Sequence, residues 1–344
     1  MNWRLWVLIG AILVTVVVMF LFPAIPKNEA YHNFADTRTF LEIPNCLNVI
    51  SNAFFLLVGL LGIRFVLHSA VRGIAAFVEP GERWPYFVFF VGVALTAFGS
   101  SYYHLNPNDH TLIWDRIPMA IGFVALVAAT LAERISVKLG IWLLVPLIVL
   151  GAASVIYWYV TQSRGHEDLR PYALAQFGSL LVVLLLIVLF PPRYTRTPDL
   201  GIALAFYALA KVLEAADKPI FAASHIVSGH ALKHLAAALS TYWILRMLRL
   251  RTPLKVAHSA RSNCPSVFLR LGLLETKNAD SPWLCGIIGD IINHRRRKHD
   301  LRLLVQDPWR TSLARGRLPA IPAAACNLPD HRRRSGGRPD KARQ

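Results

Sequence analysis

Two histidines near the end of the apolar part of the chain have a spacing that suits metal binding. His230 and His234, in the segment SGHALKH, stand four positions apart, so on a helix both imidazoles lie on one face. Two imidazoles at that spacing can hold one zinc ion, although the pattern alone is weak. A third histidine on another helix, His104 in FGSSYYHLNPND, predicts a three-histidine site with zinc's fourth position left for water.

Other polar side chains stand close to these histidines or in similarly apolar surroundings. Ser100 precedes His104 by one helical turn, and Asp115 follows in the segment WDR. Ser51 and Asn52 belong to the segment IPNCLNVISN. Polar groups in membrane spans are energetically unfavourable, so each is a candidate functional residue. Small polar residues also permit close helix packing, which leaves the roles of Ser51 and Asn52 open.

A further polar group lies shortly before the histidine pair and comprises Lys211, Glu214 and Asp217. These side chains either orient the metal ligands from outside or form an ion pair and a helix end. The sequence alone leaves both interpretations open.

The composition is that of a membrane protein. Of 344 residues, 55% are hydrophobic and 17% are charged, against about 25% charged in an ordinary globular domain. Mean hydropathy is +0.43, and long apolar runs alternate with short polar loops. The four cysteines form no CxxC pair, which argues against a disulfide framework and a cysteine–zinc site.

The apolar runs predict helices that position the candidate residues. Each run approaches the ~20 residues that a helix needs to cross the hydrocarbon core. The predicted spans are 5–22, 48–68, 85–103, 112–132, 139–161, 171–191, 200–217 and 230–248. The first is long for a signal peptide and lacks a small-residue cleavage site, so we interpret it as an uncleaved helix.

The expected fold is therefore an all-α membrane protein, with a seven-transmembrane-helix core and one extra N-terminal transmembrane helix. The predicted regions are residues 1–30 for the extra helix and linker, 31–250 for the core and 251–344 for a basic tail.

Charge in the short loops predicts the orientation. With the N-terminus inside, cytoplasmic loops hold eleven Lys/Arg and the opposite loops five, so both termini are expected in the cytoplasm. In that topology the segments containing Ser51, Ser100/His104, Asp115 and His230/His234 all reach the outer membrane face. Convergence of four separate segments at one depth supports a single site.

The tail accounts for most of the net charge of +17. Residues 251–344 hold 19 Lys/Arg against 7 Asp/Glu, so the basic balance does not make nucleic acid a predicted partner of the core. Basic clusters at 295–298 and 332–334 either attract anionic lipid or nucleic acid, or belong to a disordered extension or a shifted reading frame without selected function. We expect the tail to be dispensable for the site.

Together, these motifs resemble the alkaline ceramidase family of seven-helix membrane hydrolases, which is related to the progestin/adiponectin receptor-like proteins. The motifs are SNAFFLLVGLLG at 51–62, Gly99-Ser100 with His104 and Asp115, and the final-helix HxxxH. The resemblance covers about residues 33–250. It implies zinc on His104, His230 and His234, with Ser100 and Asp115 as catalytic partners.

The resemblance also implies an acidic N-terminal calcium-binding segment, and here the sequence departs from the family. Asp36 lies in FADTR, Glu42 follows, and Asn45 stands where the family has a glutamate. No residue is therefore assigned to calcium.

The predicted function is zinc-dependent hydrolysis of the N-acyl amide of ceramide or a related membrane lipid. Asp115 is the expected general base, and Ser100 the expected donor to the oxyanion. Two other classes remain open, a metal-ion or proton transporter and a receptor-like seven-helix protein with a structural zinc. A transporter needs polar groups through the full membrane depth, whereas the inner halves of these spans are almost wholly apolar.

Overall fold

The structure, a computed structural model, describes residues 3–71 and 76–254. Within these ranges the chain is helical and contains no strand, only isolated bridges. The helices are α1 (Trp3–Leu21), α2 (Cys46–Ile50), α3 (Ala53–Val71), α4 (Arg83–Leu105), α5 (Asp109–Arg134), α6 (Val137–Ser163), α7 (Arg170–Ala173), α8 (Ser179–Leu189), α9 (Thr197–Ala215), α10 (Asp217–Ser224) and α11 (Gly229–Leu250). A π-helical turn, Leu174–Gly178, joins α7 to α8. The expected all-α class is confirmed for this part of the chain.

Six helical segments in the described ranges are long and apolar enough to cross a membrane, which makes the chain a multi-pass membrane protein. They are Trp3–Leu21, Cys46–Ser69, Pro80–Leu105, Asp109–Arg134, Val137–Ser163 and Arg170–Leu189. Helices α9 and α11 occupy the other two predicted spans but are less apolar. Three charged residues lie in the 19 of α9, while α11 carries two histidines, a lysine and two arginines. The predicted count of seven core helices plus one is therefore not confirmed.

Helices α4 and α5 pack backbone to backbone next to the candidate site. A Cβ atom added to Gly99 would lie 1.9 Å from the carbonyl oxygen of Trp114, so no larger residue fits there without displacing a helix. This contact places Ser100 and Asp115, the next residues on the two helices, side by side. The sequence therefore encodes their proximity through one glycine.

The opposite end of the bundle is closed by buried ion pairs. Arg193 donates to Glu82 at 2.6 Å, and the Tyr194 hydroxyl also donates to Glu82. Arg251, just past α11, pairs with Glu133 at the end of α5. These residues tie the ends of four helices together, far along each helix from the histidines.

Candidate metal centre

Three buried imidazoles meet at one end of the bundle. His104 lies in the last turn of α4, and His230 and His234 lie in the first two turns of α11. One nitrogen from each ring lies within 4.8 Å of those of the other two. Among residues 3–71 and 76–254 this is the only such group of potential metal ligands. The three ligands predicted from sequence are therefore brought together and could hold a metal ion.

The hydrogen bonding of these rings fits a metal ligand set. His104 is 1% exposed, and its Nδ1 atom has no hydrogen-bond partner in the described chain. An unpaired ring nitrogen at such depth is energetically unfavourable unless something binds it. Three neutral imidazoles are suitable ligands for zinc and other transition metals.

Ser51 orients the third ring. Its hydroxyl donates to the carbonyl of Asn48 at 3.1 Å and lies 2.8 Å from Nδ1 of His234. A metal bound to Nε2 requires the proton of His234 on Nδ1, and in that tautomer the Ser51 oxygen accepts from Nδ1–H while its own proton goes to the Asn48 carbonyl. Nε2 is then the unprotonated nitrogen that can bind a metal. Metal-binding histidines commonly donate their other ring N–H to a neighbouring acceptor in this way. Ser51, left open by the sequence, therefore contacts the site.

The start of α11 is fixed by three contacts. Ser228 caps the helix by accepting from the backbone N–H of Ala231 at 3.1 Å. Asp217 accepts from the backbone N–H of His230 at 2.8 Å. A Cβ at Gly229 would lie 2.3 Å from the Leu213 carbonyl oxygen, so α11 begins directly against α9. These contacts hold both α11 histidines at a set depth.

Asp217 also reaches the chain segment that covers the histidines. Its second carboxylate oxygen accepts from the backbone N–H of Ala35 at 2.9 Å. The neighbouring Phe34 ring then packs 4.6 Å from the ring centres of both His104 and His230. Asn45 donates to the backbone carbonyl of His104 at 2.9 Å from the same stretch of chain. The loop before α2 therefore covers the cluster with an aromatic ring.

Ser100 and Asp115 lie beside the histidines in the wall of one cavity. Both side chains are buried and interact with each other, and they share the cavity of about 490 Å³ with His234. The two predicted catalytic partners are therefore placed together next to a metal-ligand candidate. Asn52, the other open residue, donates to the Asn48 carbonyl at 2.8 Å, and its buried Oδ1 has no hydrogen-bond partner in the described chain.

Several charged and polar residues of this cavity were not singled out from the sequence. Lys233 lies between the two α11 histidines, with Nζ 3.2 Å from Nε2 of His230 and 2.8 Å from Glu214. Arg116, next to Asp115, lies over the Trp158 ring at 4.1 Å. Gln176, in the π-helical turn, also lines the cavity. Lys233 could have been identified from the sequence, because it lies between the two histidines of HALKH. Gln176 could not, because the π-helical turn that holds it has no recognisable sequence pattern.

Lys211, Glu214 and Asp217 form an ion pair and a helix end, and they also lie next to the candidate metal ligands. Glu214 forms ion pairs with Lys211 and Lys233 in the wall of the cavity. Asp217 begins α10 and supports the backbone of a ligand, as described above.

The three residues at the position of the family's calcium segment are Asp36, Glu42 and Asn45, and two of them make contacts within the protein. Asp36 binds the Arg38 guanidinium through both of its oxygens, at 2.7 and 2.8 Å. This hydrogen-bonded pair lowers the pKa of the Asp36 carboxyl below its usual value. Glu42 is exposed, and the Asn45 amide is engaged with His104. Arg38 therefore supplies the positive charge that Asp36 requires.

Residues of the tail from position 255 onward, together with 72–75, lie outside the described residues, and so do the predictions made for them. In comparisons with known proteins, no family model matches the chain and no curated protein matches it.

Proposed function

We propose that this chain is an integral-membrane zinc-dependent amidase that hydrolyses the N-acyl amide of ceramide or a related lipid. The products are a sphingoid base and a fatty acid. The observation that carries the proposal is the buried three-histidine cluster, one member of which, His234, lines the cavity that also holds Ser100 and Asp115. The resemblance to the alkaline ceramidase family assigns the same five residues to that reaction.

His104, His230 and His234 would hold the zinc. When bound there, zinc lowers the pKa of a water in its open position to about 7 and so supplies a nucleophile at neutral pH. Asp115 takes a proton from the attacking water as it adds to the carbonyl carbon. Asp115 then returns the proton to the nitrogen as the C–N bond breaks, which leaves an amine and a carboxylic acid, and the acid passes its proton to the amine or to water to become the carboxylate. Ser100 donates a hydrogen bond to the carbonyl oxygen as it gains negative charge, worth ~3 kcal/mol in comparable sites.

The cavity supports a lipid as substrate. Beyond the polar residues, the cavity of about 490 Å³ is lined by apolar side chains. It shares Phe55, Met119 and Tyr207 with a second, deeper apolar cavity of about 100 Å³ between α4, α5, α8, α9 and α11. A lipid chain fits such a surface, with its amide at the polar end beside the histidines.

In the proposed topology, α9 and α11 also cross the membrane, so that eight helices span it and the histidines lie at the outer face. The buried ion pairs that include Arg193 and Arg251 then lie at the cytoplasmic end, in agreement with the predicted inside location of both termini. The lower hydropathy of α11 comes in part from His230 and His234, which are candidate metal ligands.

Hydrolysis by purified protein tests the proposal and separates it from a receptor-like role with structural zinc. Zinc-loaded protein in detergent is incubated with an N-lauroyl sphingoid base, and release of the free base is measured. We expect turnover by the wild type and a loss of most turnover in Asp115→Asn, which cannot accept the proton but keeps its size. Ser100→Ala should lose on the order of a hundredfold. Zinc-loaded wild type without turnover would rule out the amidase.

A further inference from the structure

Lys233 presents a positive charge to the cavity immediately beside a candidate metal ligand. Its Nζ lies 3.2 Å from Nε2 of His230, and its side chain is 19% exposed and lines the cavity that holds Ser100 and Asp115. Glu214 holds the ammonium in place through a 2.8 Å hydrogen bond. The ammonium is therefore fixed at the polar end of the cavity.

An ion pair that only joins α9 to α11 does not account for this lysine. Glu214 already pairs with Lys211, which lies on its own helix, so one lysine suffices to neutralise it. With Lys233 the three residues carry a net charge of +1. Lys233 is the more buried of the two lysines, with a side chain 19% exposed against 40% for Lys211, so its charge has the greater need of an anionic partner.

The other charged residues of the cavity wall do not remove the excess. Arg116 and Asp115, adjacent on α5, balance each other, so the five charged side chains that line the cavity sum to +1. A divalent metal on three neutral histidines would make the wall more positive still. A cavity with this balance is complementary to an oxyanion.

We propose that Lys233 is a further catalytic residue, which donates a hydrogen bond to the carbonyl oxygen of the scissile amide and then to the carboxylate of the fatty-acid product. This inference rests on the proposed function, and the group that Lys233 binds is the negatively charged oxygen of the substrate or product. Lys233 acts as a charged donor alongside the neutral Ser100 hydroxyl, and Glu214 positions it. A charge-assisted hydrogen bond of this kind is worth roughly 10- to 100-fold in affinity.

The test measures binding of laurate and of dodecanol, which share a chain but differ in charge, to zinc-loaded protein by calorimetry in detergent. For Lys233→Met we expect laurate affinity to fall roughly 10- to 100-fold while dodecanol affinity stays within about twofold. Lys233→Arg, which keeps the charge, should retain the preference for laurate. Lys211→Met is the matched control: it removes the same unit of charge from the cavity wall but leaves the ammonium beside His230, so it should lower laurate affinity much less than Lys233→Met does.

Binding does not require turnover, so the result is independent of whether the wild type hydrolyses an N-acyl lipid. Unchanged laurate preference in Lys233→Met would overturn the proposal. An equal loss in Lys211→Met would do the same, because it would show a diffuse charge effect. Loss of zinc from Lys233→Met would assign the lysine to the positioning of His230 instead. If Lys233→Met does not fold, Lys233→Gln replaces it with the same expectations.

Discussion

Replacing Ser51 by alanine should weaken metal binding although Ser51 is not a ligand. Its hydroxyl oxygen lies 2.8 Å from Nδ1 of His234, and in the metal-binding tautomer it accepts from Nδ1–H while donating to the Asn48 carbonyl. Without Ser51 the imidazole loses one acceptor for its Nδ1 proton, and the tautomer with the proton on Nε2, the nitrogen needed for the metal, becomes more populated. The substitution removes one oxygen atom and leaves all three ligands in place.

The magnitude follows from the position of the bond. Second-sphere partners of metal-binding histidines are typically worth 10- to 100-fold in metal affinity. That range corresponds to about 1.4–2.7 kcal/mol of binding free energy. Ser51 is 8% exposed, so water cannot readily replace the hydroxyl, and we expect a loss of about that size. Competition with a chromophoric chelator measures zinc affinity directly.

Ser69→Ala is the matched control. Ser69 is also buried, and its hydroxyl donates to the Val66 carbonyl at 2.8 Å, but it lies 18 positions further along the chain, away from the histidines. Its alanine variant should keep wild-type zinc affinity. Equal zinc affinity in Ser51→Ala and the wild type would refute the assigned role of this hydrogen bond.

Three further outcomes are expected. Gly99→Ala should lower the thermal unfolding midpoint in detergent, since the clash of its Cβ costs about 1–3 kcal/mol. Gly122→Ala, with open space around its Cβ, should raise the midpoint, and equal midpoints for the two variants would contradict the close packing of α4 against α5 at Gly99. A chain ending at Leu254 should match the full chain in zinc content and turnover, and loss of zinc from inserted protein would contradict this. The Asp36–Arg38 ion pair stabilises the fold above the unfolded Asp pKa of about 3.9, and this stabilisation is lost as pH falls through the lowered folded pKa. Arg38→Met should therefore shift the midpoint of acid unfolding to higher pH, and an unchanged midpoint would argue against the pair's contribution.

Helix positions could be predicted from the sequence because hydropathy alone defines them. Every predicted span lies on helical structure, including α9 and α11, although 48–68 covers both α2 and α3. Their membrane crossing is less evident because Lys211, Glu214 and Lys233 lower the hydropathy that a span prediction relies on. The division of the 171–191 segment by a π-helical turn was not predicted, since such a turn depends on packing against neighbours.

The membership of the site was predictable where residue type limits function strongly. Histidines and an aspartate in apolar surroundings have few structural roles, so His104, Asp115 and the α11 pair stood out. Ser51 and Lys233 were harder to assign because their roles depend on distances between helices. Only the fold shows that one hydroxyl reaches His234 and that two lysines share Glu214.

The metal content of purified protein tests the three-histidine site most directly. We expect about one equivalent of zinc per chain for the wild type and a large loss in His230→Ala and in His234→Ala, because two remaining ligands hold zinc poorly. His110→Ala is the control, since this residue bonds to Tyr159 at 2.6 Å and lies outside the cluster, and it should keep the full equivalent. One equivalent of zinc retained in His230→Ala or His234→Ala, or none in the wild type, would contradict the account.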